Sequence, residues 1–206
     1  MRTIFGMDGP VMRAMTDLMN LVILNLLTLL CSLPVVTAGA AVTAMHYILM
    51  QMVEQKEGHI VRTFFAQFRS NLKSATPPWL ILLGISALLY ADYRIFGGEG
   101  ATRYMRIPVF IGAAIVGMLY VWLFPYLARF ENRLGASLKN AFLLAVGYLP
   151  RTAAMVAITA VVPYFLTQVM SLWPLALFVG ISLPGYFCTL FYRGVIEKMV
   201  EKAGGT

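Results

Sequence analysis

Charge is scarce in this chain: only 12% of its 206 residues are Asp, Glu, Lys or Arg, about half the share of an average soluble domain. A water-soluble domain of this size needs more charge, so the 60% of residues that are apolar call for a solvent other than water. Histidine and cysteine each occur only twice. Cys31 and Cys188 both fall inside apolar runs, where a cysteine packs as a small apolar residue, so a disulfide between them is not expected. No Cys-x-x-Cys, His-Glu-x-x-His, P-loop or Gly-x-Ser-x-Gly pattern occurs, which leaves redox, metal, nucleotide and nucleophile chemistry without support. The expectation is therefore no enzyme, no cofactor and no metal.

What the chain does have is long apolar runs. A bilayer core takes about 20 helical residues, and six runs approach that length. Leu18 to Leu33 is stopped by Pro34, and Thr37 to about Val53 is short and carries His46. The others are Pro77 to Phe96, Ile107 to Ala128, Thr152 to Met170 and Leu172 to Tyr192. The fold class expected is an all-α membrane protein of about six transmembrane helices, the second spanning or re-entrant. All 206 residues form one multi-span domain, with residues 1–17 and 193–206 as terminal segments. Pro163 and Pro184 are expected to kink the last two spans, which neighbouring helices accommodate in a membrane bundle.

The formal +7 charge has a direction. Arg2 and Arg13 precede the first span, while Lys56, Arg62, Arg69 and Lys73 lie between the second and third. Arg129, Arg133, Lys139 and Arg151 lie between the fourth and fifth, and Arg193, Lys198 and Lys202 follow the sixth. Only Arg94, Arg103 and Arg106 fall on the other side. Basic loops stay cytoplasmic, so both termini are expected in the cytoplasm of a bacterial plasma membrane, with one outer loop from Gly97 to Arg106. The charge thus marks sidedness and points away from nucleic acid. A secretory leader would also begin with a basic start and an apolar run, but Asp8, Asp17 and the pattern described next argue against cleavage after Ala40.

Two blocks recur in order. Gly39-Ala-Ala-Val-Thr-Ala-Met-His-Tyr47 resembles Gly112-Ala-Ala-Ile-Val-Gly-Met-Leu-Tyr120, and Asn71-Leu-Lys-Ser-Ala75 resembles Ser137-Leu-Lys-Asn-Ala141. The units, about 37–97 and 107–170, each hold two spans, which makes the repeat parallel. Small residues four apart, Ala40 with Ala44 and Ala113 with Gly117, suit a helix-packing seam or a substrate path between units. Between the spans, Ile60 to Ala75 and Phe130 to Phe142 pair an apolar stripe with Arg62, Arg69 and Lys73, or with Arg133 and Lys139. Such helices lie in the headgroup plane on the cytoplasmic side, where they bind lipid or a partner.

The string Leu21-Val-Ile-Leu-Asn-Leu-Leu, then Leu33-Pro-Val-Val-Thr37, Gly39-Ala-Ala, Thr43-Ala-Met-His-Tyr and Phe64-Phe-Ala-Gln-Phe-Arg-Ser-Asn-Leu-Lys-Ser-Ala75 resembles the YesL family of bacterial integral membrane proteins over roughly residues 5 to 95. The resemblance implies a small multi-span protein of unknown function, commonly encoded beside sugar-uptake transporters of the ATP-binding cassette type. It carries over no site residue.

Polar residues within the runs are few. His46 suits either a proton or substrate contact or a hydrogen bond to a neighbouring helix. Asn20 and Asn25 suit interhelical contacts or a polar path. Two functions follow as expectations. The favoured one is an accessory or scaffold subunit contacting membrane lipids and the permease or solute-binding subunits of a sugar transporter. The other is a small stand-alone transporter or channel with a path at the repeat interface.

Overall fold

A computed structural model describes residues 10–55, 58–95, 107–130, 133–169 and 173–204. The expected outer loop from Gly97 to Arg106, together with Arg2 and Lys56, lies outside these. Among the described residues every regular element is a helix: α1 (Pro10–Cys31), α2 (Ala38–Val53), α3 (Ile60–Ile95), α4 (Ile107–Leu127), α5 (Leu134–Gly147), α6 (Leu149–Tyr164), α7 (Trp173–Val179) and α8 (Ser182–Gly204). A 3₁₀ turn (Val35–Thr37) leads into α2, and a π turn (Phe165–Val169) follows α6. Five helical stretches among the described residues are long and apolar enough to cross a bilayer, as a multi-pass membrane protein requires.

The short second run forms the centre of the bundle. Eleven of the 16 residues of α2 are buried, and α1, α3, α4 and α8 all pack on it. Small side chains make this close approach possible. At Gly39, a Cβ would run into Cβ of Trp79 and lie 2.9 Å from the Ala75 carbonyl oxygen. The helix is unbroken, with a rise of roughly 24 Å against a hydrocarbon core of about 30 Å.

Helix α1 begins at Pro10, eight residues before the expected run, α6 gives way to the π turn after Tyr164, and three further boundaries differ from the sequence reading. The amphipathic segment Ile60 to Ala75 and the span from Pro77 are one 36-residue helix, α3, which runs through Pro77 and Pro78. Each proline forfeits one helical hydrogen bond, and external contacts hold the helix there: Gly39 packs against it, and Trp79 Nε1 donates to Val35 O at 2.6 Å. A helix of about 54 Å exceeds the hydrocarbon thickness, so its basic first half continues the span and does not lie apart in the headgroup plane. The Val35 turn sits beside Trp79, so the last 16 residues of α3 continue about 24 Å further along its axis. There they meet α4, with Leu89 against Gly112 and Tyr93 against Phe110.

The second amphipathic segment is α5, shifted to Leu134–Gly147 with Phe130 outside it. It joins α6 through a kink at Tyr148 (φ −121°, ψ 43°) between Gly147 and Pro150, residues that end and restart helices. Thr152 Oγ1 reaches back across the kink to Ala145 O (2.8 Å) and accepts from Trp122 Nε1 of α4 (2.8 Å).

The sixth run, Leu172 to Tyr192, is not one helix. It divides into α7 and α8 at Gly180 and Ile181, where a side chain at position 180 would strike the Ala176 carbonyl oxygen.

Candidate functional site

Two of the buried polar residues, Asn25 and Ser182, meet at this helix break. Asn25, fully buried on α1, bonds both of its ends: Nδ2 donates to Leu177 O at 2.7 Å, while Oδ1 accepts from the backbone N–H groups of Ile181 (2.9 Å) and Ser182 (2.8 Å). Helix ends leave unsatisfied donors and acceptors, and inside a membrane protein no bulk water is at hand to meet them. One carboxamide with two donors and two lone pairs on its oxygen serves both ends.

Below the break lies a chamber of about 150 Å³ between α2, α4, α6 and α8, lined by Met45, His46, Tyr120, Thr159, Gly185 and Cys188 among others. α8 approaches closely here, since a Cβ at Gly185 would lie 2.9 Å from Leu49 Cδ1 and 3.3 Å from Met45 Cε. His46 is 6% exposed. Its Nδ1 lies 3.0 Å from the Tyr192 hydroxyl, which lies 2.8 Å from Thr189 Oγ1, and Thr189 donates to Gly185 O at 2.9 Å. Cys188 packs toward α6, its Sγ 3.6 Å from both Met155 O and Thr159 Oγ1.

A second, larger space opens on the outside of the bundle. This groove of about 550 Å³ runs between α3, α4 and α6, and Leu89, Tyr93, Phe110, Ala113, Gly117 and Val156 are among its lining. Its surface is almost wholly apolar. Spacing could not reveal it, because it is a space between three helices.

At the other end of α2 the charges converge. Arg129 meets Glu54 at 2.7 Å and lies 5.6 Å over the Tyr47 ring. Arg193 donates to Val53 O at 3.1 Å and pairs with Glu197 at 3.2 Å, a cation placed on the last carbonyls of a helix.

The residues singled out by sequence fall into separate places. Ala40 and Ala44 are fully buried in α2, whereas Ala113 and Gly117 line the groove. His46 lines the chamber, Asn25 bridges the helix break, and Asn20 is partly buried on α1. Arg62, Arg69 and Lys73 share one exposed face of α3, roughly opposite the buried Phe64, Asn71 and Ala75. Arg133 and Lys139 are exposed at and within α5. Among the described residues, no three His, Cys, Asp or Glu side chains are placed to hold a metal ion.

Residues 21–93 match the model of a family described as a protein of unknown function, DUF624. That interval lies inside the stretch that resembles the YesL family. Over 211 aligned residues the chain is 28% identical to an uncharacterized protein, YteU, of Bacillus subtilis (strain 168), covering 97% of this chain and 90% of that protein. No solved structure is a significant match.

Proposed function

We propose that this chain is an accessory or scaffold subunit of a membrane assembly, associated with a carbohydrate uptake transporter of the ATP-binding cassette type, with both termini in the cytoplasm of a bacterial plasma membrane. The size of the chamber carries this reading. At about 150 Å³ it matches a cavity that takes benzene, and a monosaccharide has about twice as many heavy atoms. The interior polar groups hold helices together: Asn25 binds α7 to α8, Tyr192 binds His46, and Trp122 binds Thr152. A carrier needs such groups for cargo near the midplane. The association with a sugar transporter rests on the YesL resemblance.

The parallel repeat belongs to this reading as well. Asn71, Ala75 and Pro78 of α3 are buried at the same spacing as Ser137, Ala141 and Leu144 of α5, which supports two units built alike. Purification from native membranes in mild detergent, followed by mass spectrometry, tests the association. Co-recovery of permease or solute-binding subunits is the expected result, and recovery of the chain alone contradicts it.

One observation favours a second reading, a small transporter. A discontinuous helix pair beside a cavity, as at Gly180, is the arrangement in which many carriers place their sites. Proteoliposome flux that is unchanged by His46→Ala and by bulky residues at Ala44 and Gly117 removes that reading.

A further inference from the structure

The outer groove and the interior chamber adjoin, since Tyr120, Val121 and Thr159 line both. Beside these shared residues, the protonation of His46 follows from its neighbours. Thr189 commits its one hydroxyl hydrogen to Gly185 O, so in the 2.8 Å contact with Tyr192 the phenol donates and the threonine accepts. The phenol has one hydrogen too, so at 3.0 Å it accepts from His46, and Nδ1 carries the proton. A neutral imidazole has one donor and one acceptor. Nε2 is therefore the acceptor, on a buried ring that lines the chamber. A buried acceptor is satisfied by a donor.

We propose that groove and chamber together form a binding site, entered from the lipid phase, for a single-chain amphiphile whose small neutral head donates a hydrogen bond, a long-chain alcohol above all. The hydroxyl sits on His46 Nε2, and the chain passes Tyr120 and lies in the groove over Ala113 and Gly117. Three observations fix this chemistry. The chamber is benzene-sized, which admits a hydroxyl with its first few carbons and excludes a phosphodiester or sugar headgroup. The bare acceptor on His46 selects against ketone, quinone and ester heads, which only accept. The groove is apolar and open at its floor, where a Cβ added at Gly117 would meet nothing nearer than Val156 Cγ1 at 3.9 Å.

The test uses the full chain in phospholipid nanodiscs with a hexadecanol that carries a diazirine on its chain. After irradiation, labelled residues are located by mass spectrometry. The label is expected on α4 and α6, competed about tenfold better by unlabelled hexadecanol than by hexadecyl methyl ether, which keeps the chain and loses the donor. His46→Phe should erase the difference between the two competitors. Gly117→Leu fills the groove at a position with room for it and should cut labelling of α4 about tenfold, with the unfolding midpoint unchanged. Equal competition by alcohol and ether in the unmodified protein overturns the proposal, as does labelling that Gly117→Leu leaves unmoved. The second arm stands even if His46→Phe does not fold.

Discussion

The blocks Gly39 to Tyr47 on α2 and Gly112 to Tyr120 on α4 share their spacing and much of their sequence, yet they occupy opposite environments. Every residue from Gly39 to His46 is buried, whereas none from Gly112 to Tyr120 is. The cause lies in the neighbours. α2 is enclosed by α1, α3, α4 and α8, while the first half of α4 lines the open groove between α3 and α6. A stripe of small residues specifies how closely another helix can come. Whether one does come is set by the rest of the chain.

Substitutions at matched positions sharpen or break that contrast, each read as a change in unfolding free energy during sodium dodecyl sulfate titration of mixed micelles. Gly39→Ala should have the largest effect, about 3 kcal/mol, because backbone and the Trp79 Cβ stand in the way and whole helices must shift. Gly112→Ala should cost less than about 1 kcal/mol, since the obstacle is the end of a flexible side chain, Leu89 Cδ2 at 2.7 Å. His46→Leu gives α2 the residue that α4 has at Leu119. It leaves the Tyr192 hydroxyl without its imidazole partner and should cost about 1 to 2 kcal/mol. Trp79→Phe and Trp122→Phe each remove one indole hydrogen bond, to Val35 O and to Thr152 Oγ1. Both should lose about 1 kcal/mol. Smallest is Glu54→Gln, which loosens the ion pair joining the lower ends of α2 and α4. A loss of about 0.5 to 1 kcal/mol that shrinks with added salt is expected.

Much of the architecture is legible from residues alone. The apolar runs mark α2 and α4 closely, because the Glu54 to Glu57 charges and Arg106 bound them, and Pro34 marks the end of α1, although that helix begins at Pro10, eight residues before its run. The runs do not reveal how prolines behave. Pro77 and Pro78 read as a boundary, but α3 continues through them, with Gly39 and the Trp79 bond packed at that point. Conversely, the last run suggests a kink at Pro184, but Pro184 lies inside α8 and the break falls at Gly180 and Ile181, where it depends on Asn25, 155 positions before Gly180, to satisfy its freed backbone groups. Asn25 and His46 stand out in sequence as polar residues in apolar company. Their partners do not, because Tyr192 and Ile181 are ordinary residues for a span. The groove leaves no local signal, since it is a space between α3, α4 and α6.

The central claim is that matched small residues form a packed seam in α2 and an open groove floor in α4. The most direct test compares Ala44→Leu with Gly117→Leu, the same position of the two blocks, in one mixed-micelle unfolding experiment. Ala44 is fully buried, whereas a Cβ at Gly117 finds its nearest neighbour at 3.9 Å. Ala44→Leu should lose about 3 kcal/mol, and Gly117→Leu should stay within about 0.5 kcal/mol of the unmodified protein. Equal losses at the two positions would contradict the account.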